Sequence, residues 1–229
     1  MTSDETGAVI KDIYRRLLAD GGWQDWWPGD SPFEIAVGAI LTQNTNWKGV
    51  EKSIANLKAV DKLSAAAILG CDNAVLGELI RPSGYFNVKT ARLKSLSAFL
   101  TREGAPGVTG LACEDRTTLR QALLSVNGVG RETADSIMLY ALGVPIFVVD
   151  AYTRRILGRI GLIDPGADYD DIQRLLEAHI DPDSSIYGDY HAQIVRCGKE
   201  FCQKRPKCLK CPLLDLCHEG MGNDPGRTV

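Results

Sequence analysis

Apolar residues recur at three- and four-residue spacing along most of this chain, which is the period of an amphipathic α-helix. The positions predicted to face inward include Ile10, Ile13, Leu17, Val50, Ile54, Leu57, Leu93, Leu96, Leu100, Ile172, Leu175 and Leu176. We find no convincing strand hairpin and no internal repeat. The pattern therefore predicts an all-α fold.

One predicted helix, PFEIAVGAILTQ, is apolar almost all round. Ser31 and Pro32 fit its beginning, because serine caps a helix and proline is favoured at its first position. A helix that is apolar on every side is expected to be buried at the centre of its domain. It ends in the polar stretch Leu41–Thr45, in which Gln43 reads equally well as a helix C-terminal polar residue or as a functional one.

All four tryptophans lie between Trp23 and Trp47, and three of them stand in the turn-rich segment WQDWWPGDSP. Trp23 is predicted to fill the core. Trp26 and Trp27 are harder to bury on both sides, so they are candidates for the aromatic wall of a pocket. Packing of the same rings in the core is the alternative.

A second stretch combines a glycine-rich turn with a carboxylate. One helix is predicted to end at 125–126 and the next to begin near Arg131, with Gly128 and Gly130 in the turn between them. Such a turn presents backbone N–H groups at a helix start, where a DNA phosphate can bind. The apolar run Ile146–Val149 then leads to Asp150. The alternative is an ordinary helical hairpin followed by a capping aspartate. The glycine turn alone fits both interpretations equally well, and the aspartate after an apolar run favours the functional one.

Composition and charge limit the class of protein. With 229 residues, 45% of them hydrophobic and 24% charged, the chain suits one large globular domain or two small ones. The acidic N-terminus does not resemble a secretory signal, and no stretch is apolar enough for a membrane helix, so we expect a cytoplasmic protein without a membrane partner. The net charge of −3 hides two basic groups, Arg154–Arg159 and Arg196–Lys210, which fit a solvated surface or a DNA-facing one.

Four of the seven cysteines are clustered near the C-terminus. They follow the pattern Cys202-x5-Cys208-x2-Cys211-x5-Cys217, with Pro206 and Pro212 keeping the segment out of regular helix. Four thiolates can hold a [4Fe–4S] cluster or a tetrahedral zinc ion. Zinc sites more often pair two short Cys-x2-Cys motifs, whereas this chain has one, so the spacing modestly favours iron–sulfur.

Taken together, these segments resemble the helix-hairpin-helix DNA glycosylase superfamily that includes endonuclease III. The resemblance rests on the hairpin with Asp150, on the fragment ILTQNTNWKGVEKSI and on the cysteine loop, and it covers roughly residues 30–217. It implies two helical domains that flank a DNA-binding cleft. Their expected boundaries are 30–144 for a six-helix barrel with the helix-hairpin-helix (119–142), and 1–29 with 145–229 for a domain that carries the iron–sulfur loop (202–217).

The resemblance also implies roles for individual residues. Asp150 would be the catalytic carboxylate, Gln43 would fill the gap left by a flipped-out nucleotide, and Gly128, Gly130 and Arg131 would bind DNA. The cluster ligands would be Cys202, Cys208, Cys211 and Cys217. The family's first cysteine interval is commonly six residues, whereas it is five here.

Position 132 departs from the strand-cutting members of the family. Those enzymes carry Gly-Val-Gly-Arg-Lys-Thr-Ala, and the lysine amine forms a Schiff base with the sugar. This chain has Glu132 in that place, and a carboxylate cannot form an imine. The Trp-Trp-Pro turn, Trp47 and the Val-Val-Asp run are similar to the branch of 3-methyladenine DNA glycosylase III, although its best-known member lacks the cysteine loop.

These observations predict a monomeric, monofunctional DNA glycosylase that acts on double-stranded DNA containing a damaged base, with alkylated purines as substrates. Trp26, Trp27, Trp47 and Glu132 would line the base pocket. The alternatives are a bifunctional glycosylase/lyase of the endonuclease III type, a glycosylase for mismatched thymine or uracil, and a non-catalytic DNA-damage-binding protein. A pure binding protein has no need of a carboxylate such as Asp150 beside the sugar.

Overall fold

The computed structural model describes residues 2–102, 110–111 and 115–222. Within these ranges the chain is helical or irregular and contains no β-strand, which confirms the all-α prediction. No helix in the same ranges is long and apolar enough to cross a membrane. The chain divides into two compact units, one formed by Met1–Trp26 with Pro145–Val229 and the other by Trp27–Val144.

The α-helices are numbered here in chain order. They are α1 (Ser3–Gly21), α2 (Pro32–Leu41), α3 (Trp47–Ala59), α4 (Ala65–Gly70), α5 (Asn73–Ile80), α6 (Phe86–Thr101), α7 (Arg116–Leu124), α8 (Arg131–Ser136), α9 (Ala151–Ile160), α10 (Tyr169–Glu177), α11 (Ser184–Glu200) and α12 (His218–Gly222). A π-helical turn, Ile137–Ala141, continues α8, and short 3-10 turns occupy Arg81–Ser83, Cys208–Lys210 and Leu214–Leu216.

Helix α2 is the central helix of the unit Trp27–Val144. Ser31 caps its start by accepting a hydrogen bond from the Glu34 N–H at 3.2 Å, and Pro32 occupies its first turn. The residues from Ala36 to Leu41 are all buried. The helix packs against α3, α6 and α8, as the apolar pattern on all its sides predicts.

The two helices of the hairpin are joined by a buried ion pair. Arg120 of α7 donates to both carboxylate oxygens of Asp135 in α8, at 2.7 and 3.0 Å. The Asp135 side chain is completely buried, so this bidentate pairing compensates a charge that would otherwise be costly to bury. Helix α8 begins at Arg131 as predicted.

Helix α11 is the central helix of the unit Met1–Trp26 with Pro145–Val229. Its buried Tyr190 stacks on Tyr14 of α1 with ring centroids 4.9 Å apart and donates to the Ile10 carbonyl at 2.8 Å. Phe147 packs edge-on against Tyr187 and Tyr190, each at 5.5 Å. The aromatic rings of α11 thus join the first helix of the chain to the run that precedes Asp150.

The run Ile146–Val149 is buried, and side chains of α10 form hydrogen bonds with three of its backbone groups. The Phe147 N–H donates to Glu177 Oε1 at 2.8 Å, and the Phe147 carbonyl accepts from Gln173 Nε2 at 2.6 Å. The Val149 N–H donates to the Tyr169 hydroxyl at 3.3 Å. Because Tyr169, Gln173 and Glu177 are four residues apart, one face of α10 supplies all three contacts.

The prediction that Trp23 fills the core is wrong, since this side chain is 56% exposed. The chain leaves α1 through Gly22 at φ +65°, and the next inward contact is made by Gln24. The Gln24 N–H donates to the buried Asp189 carboxylate at 2.8 Å, and its side-chain amide donates to the Gly21 and Gly22 carbonyls. Hydrogen bonding of this loop therefore turns the neighbouring Trp23 ring outward.

The contact between α10 and this run gives a stability prediction. Glu177→Ala removes the acceptor for the buried Phe147 N–H, which should lower the free energy of unfolding by about 1–3 kcal/mol in urea titrations. Glu177→Gln keeps an acceptor oxygen and should lose less. Arg174→Ala, which removes only an exposed ion pair with Asp171 on the same helix, should change stability by less than about 0.5 kcal/mol. Equal losses in the alanine variants would contradict this account.

Candidate functional site

Asp150 is the N-cap of α9, and one of its carboxylate oxygens is used by the cap. Oδ1 accepts from the Thr153 N–H at 2.7 Å and from the Thr153 hydroxyl at 2.9 Å. The hydroxyl in turn accepts from the Asp150 N–H at 3.4 Å, which completes a capping box. The capping interpretation of Asp150 is therefore correct as a description of the structure, and it leaves Oδ2 available for another partner.

The second carboxylate oxygen of Asp150 faces a histidine. Oδ2 lies 3.8 Å from His191 Nε2 of α11, and the two side chains are only 12% and 7% exposed. Burial raises the pKa of the Asp150 carboxyl, but the nearby His191 side chain and the hydrogen bonds from Thr153 outweigh this effect and hold the pKa below its ordinary value. The carboxylate is therefore charged throughout the neutral range. No sequence pattern had singled out His191.

The glycine-rich turn is shaped by a side chain from α6. Gly128 has φ +85°, and a Cβ at this position would lie 2.2 Å from Cγ of Arg92. Both the backbone conformation and the close approach of Arg92 therefore require glycine. Gly130 is the exposed N-cap of α8, and Arg131 and Glu132 are exposed in its first turn. A glutamate at this end of a helix is favoured by the helix dipole.

Gln43 contacts the turn directly. Its Nε2 donates to the Gly128 carbonyl at 3.0 Å and to the Thr133 hydroxyl at 2.9 Å. Its Oε1 accepts from the Arg92 guanidinium. The structure thus brings together two segments that the sequence had singled out separately, and it adds Arg92, which no sequence pattern had marked.

Lys89 is a structural residue. Its side chain is buried, and Nζ donates to the carbonyls of Leu41 and Ser83 at 2.7 and 2.6 Å and to the Thr45 hydroxyl at 2.5 Å. Desolvation, with a smaller contribution from the charge of Arg92, lowers the pKa of Lys89 to about 8. The ammonium fixes both ends of the segment that carries Gln43.

Two of the predicted pocket tryptophans belong to one aromatic cluster. Trp27 packs edge-on against Trp47, with ring centroids 5.3 Å apart. Trp27 also contacts Tyr140, and these ring centroids are likewise 5.3 Å apart. Trp47 Nε1 donates to Glu51 Oε1 at 2.8 Å. Tyr140 lies on the π-helical turn and was missed by sequence reasoning, because it belongs to no aromatic-rich segment. Trp26 is half-buried in the unit of α1 and α11.

The four predicted cysteine ligands line a single pocket in the loop after α11. Its walls also include Arg159, Phe201, Pro206 and Gly220, and it holds about 310 Å³ of empty space including its opening to solvent. Arg159 Nη1 lies 3.2 Å from Cys202 Sγ, and the Gly220 N–H lies 3.3 Å from Cys217 Sγ. N–H donors directed at sulfur suit thiolates, the form in which cysteine binds metals.

A fifth cysteine adjoins this pocket. Cys197 of α11 is completely buried. Its hydrogen bond to Cys211 lowers the pKa of Cys211 to about 7. The same hydrogen bond and burial raise the pKa of Cys197, which therefore stays a neutral thiol and acts as the donor. The spacing of the cysteines in the sequence could not place Cys197 against Cys211.

The described residues contain no group of three or more His, Cys, Asp or Glu side chains placed so that it could hold a single metal ion. The four cysteines nevertheless line one pocket. Their chemistry fits a cluster of several irons, whose ligands stand around the cluster and not around one ion.

Two arginines of the first basic group bind the cysteine loop, and the third, Arg154, donates to the Ala167 carbonyl at 2.6 Å. Arg155 Nε donates to the Cys202 carbonyl at 2.7 Å, and Arg159 Nη1 donates to the Gln203 carbonyl at 2.7 Å. Arg196 of the second group binds Asp20 at 2.8 Å. The exposed members of the second group are Lys199, Lys204, Arg205, Lys207 and Lys210.

Comparison with protein families gives one match that covers most of the chain. Residues 37–182 match the model described as HhH-GPD superfamily base excision DNA repair protein. The chain is also similar to a Methanocaldococcus jannaschii protein that carries the provisional name DNA repair glycosylase, with 48% identity over 211 residues, 91% of this chain and 96% of that protein.

Comparison with solved structures gives similar folds. The H. pylori 3-methyladenine DNA glycosylase bound to 1,N6-ethenoadenine matches with a TM-score of 0.70 and 29% identity, over 85% of this chain and 97% of that one. Endonuclease III in a non-covalent DNA complex matches with a TM-score of 0.78 over 97% and 98% of the two chains. At 22% identity, this second likeness concerns the fold alone.

Proposed function

Since this chain belongs to the HhH-GPD superfamily of base excision DNA repair proteins, we propose that it is a monofunctional DNA glycosylase that removes alkylated purines from double-stranded DNA. The observation that carries the proposal is Asp150, a buried carboxylate held in the charged form by Thr153 and His191. A charged carboxylate is what the breaking of an N-glycosidic bond requires, because positive charge develops on the sugar as the base leaves.

In the proposed reaction, Asp150 stabilises the sugar cation and orients or deprotonates the attacking water. Oδ1 is occupied by the cap of α9, so Oδ2 is the oxygen we assign to this role. His191 acts through Asp150 and is a positioning residue. The target base must first leave the stack.

On the DNA side, we assign phosphate binding to the backbone of the turn at Gly128 and Gly130 and to Arg131. We assign filling of the gap left by the flipped nucleotide to Gln43. The exposure of Gly130 and Arg131 supports this assignment, as does the attachment of Gln43 to the turn. The partner is a duplex with a damaged base, bound by a protein we expect to be a monomer.

Two features support alkylated purines as the substrate. Trp26, Trp27 and Trp47 offer aromatic faces, and a cationic alkylpurine stacked on such a face gains about 0.5–2 kcal/mol per contact. The glycosidic bond of an alkylated purine is already weak, so little acid catalysis is needed. Trp27 and Trp47 also pack against each other in one aromatic cluster. Glu132 would lie at the pocket edge.

The absence of strand cleavage follows from the chemistry of two side chains. Glu132 cannot form a Schiff base, and Lys89 uses its Nζ to bind three oxygens within its own unit. The alternative of a bifunctional enzyme would need a different lysine, such as the exposed Lys48.

We further propose that Cys202, Cys208, Cys211 and Cys217 hold a [4Fe–4S] cluster. The shared pocket and the N–H donors directed at Cys202 and Cys217 support this assignment. When bound, the cluster would cross-link the loop and take no part in base excision. The exposed lysines and arginine around it would face phosphates.

The activity is tested with a panel of duplexes that each contain one lesion. We expect release of N3- and N7-methylated purines and slower or no excision from G·T and G·U pairs. The product strand should stay intact, and borohydride should trap no covalent adduct, because no imine forms. Trp47→Ala should reduce alkylpurine release in protein that is still folded at the assay temperature, although loss of its contacts with Trp27 and Glu51 lowers the unfolding transition. Preference for mismatched pyrimidines, or a trapped adduct, would refute the corresponding part of the proposal.

The role of Asp150 is tested by charge removal and by pH. Asp150→Asn keeps a side chain that caps α9, so the protein should fold while excision falls at least about 100-fold. A lowered pKa means that the carboxylate stays charged until the pH falls below its ordinary value of about 3.9, so excision above background should show no acid limb down to that pH. His191→Phe removes the stabilising partner and should move the acid limb to higher pH. Retained excision in Asp150→Asn with lost thermal stability would assign Asp150 to structure alone.

The cluster is tested by metal content. Protein purified without oxygen should be brown and contain about four irons per chain. Cys208→Ser should lose most of the iron and the colour, whereas Cys71→Ser, a buried cysteine in the other unit, should keep both. Colourless wild-type protein with one zinc ion would overturn the assignment.

A further inference from the structure

The side chain of Gln43 is held at both ends of its amide. The NH2 group donates to the Gly128 carbonyl and to the Thr133 hydroxyl, at 3.0 and 2.9 Å, and the amide oxygen accepts from Arg92. A primary amide has one oxygen and two N–H groups. All three are engaged, so the orientation of the amide is fixed before any DNA is bound.

Arg92 is built into this position. It projects from α6 across the glycine turn, where a Cβ on Gly128 would lie 2.2 Å from its Cγ and 2.9 Å from its Nε. The side chain is half-buried. Its planar guanidinium carries donors in a fixed geometry, so it can orient an acceptor more strictly than a lysine ammonium can.

The backbone beneath Gln43 is fixed as well. Lys89 binds the Leu41 carbonyl on one side and the Thr45 hydroxyl on the other. Asn44 is held at φ +53°, a left-handed conformation that an asparagine adopts only at some cost. The segment therefore keeps a backbone conformation that lowers stability, which is expected where that conformation serves a function.

We propose that Arg92 is a positioning residue that pre-orders Gln43 for entry into the gap left by a flipped-out nucleotide. The inference rests on the proposed function. A long polar side chain that is mobile in the free protein loses its rotamer freedom when it enters the duplex, whereas an ordered one has already lost it. For a glutamine the difference corresponds to about tenfold in affinity.

The alternative role for a half-buried arginine near the turn is a direct phosphate contact. The two roles differ in one respect: positioning acts only through Gln43, whereas a phosphate contact does not need Gln43. A double-mutant cycle separates them, since the effects of residues that act as one unit are not additive. A lost phosphate contact also reduces the dependence of affinity on salt concentration.

The experiment measures binding to a fluorescent duplex that contains a tetrahydrofuran abasic-site analogue, with Arg92→Met, Gln43→Ala and the double variant. Each single variant should weaken binding about tenfold, and the double variant should be no weaker than Gln43→Ala alone. Arg92→Lys keeps the charge but loses the planar donors, so it should weaken binding as Arg92→Met does. Arg102→Met removes an exposed charge just beyond α6 and should leave affinity nearly unchanged.

Additive losses with a smaller salt dependence would identify Arg92 as a phosphate contact and overturn the proposal. Tighter binding by Arg92→Met would also overturn the proposal, because it would show that Arg92 hinders the entry of Gln43 into the gap. The assay does not require excision. Wild-type protein that prefers the abasic duplex but excises no base would overturn the glycosylase function alone. Wild-type protein without that preference would overturn both.

Discussion

The unit that carries Asp150 depends on how one buried segment forms hydrogen bonds through its backbone. The run Ile146–Val149 lies in the core, and the described part of the chain offers it no neighbouring strand. Buried peptide groups without partners would make this arrangement unstable. Tyr169, Gln173 and Glu177 of α10 form hydrogen bonds with backbone groups of the run. Their spacing of four residues places them on one face of the helix. The run leads directly to Asp150, which is the N-cap of α9.

The position of Asp150 combines a structural role with a chemical one. An aspartate at an N-cap is among the commonest helix starts, and the cap alone would explain the residue. The contact of Oδ2 with His191 goes further, because it stabilises the charged form of a carboxyl that burial would otherwise neutralise. A residue kept only for capping would be as effective on the protein surface. Burial together with a stabilised charge is the combination expected of a functional carboxylate.

The other unit solves a different problem, which is to hold a polar side chain still in a loop. Lys89 fixes the backbone around Gln43, and Arg92 and the turn at Gly128 fix its amide. The same physical principle applies to the cysteine loop, which has little regular structure of its own. Arg155 and Arg159 bind its carbonyl groups from α9, and a metal cluster would add a covalent restraint. In both places, buried or half-buried cations supply hydrogen bonds that regular secondary structure would otherwise have supplied.

The sequence by itself determined the features that depend on neighbouring residues. Apolar spacing predicted the all-α fold and the buried α2, Ser31 with Pro32 marked its start, and the glycines marked the turn before α8. The tertiary structure decided which distant residues meet. Gln43 reaches Arg92 across 49 residues and Gly128 across 85, and His191 meets Asp150 from another helix. Trp23 is exposed because its neighbour Gln24 finds the buried Asp189. Local patterns encode the period and the ends of a helix, whereas these contacts depend on how packed helices bring their side chains together, and no short segment contains that information.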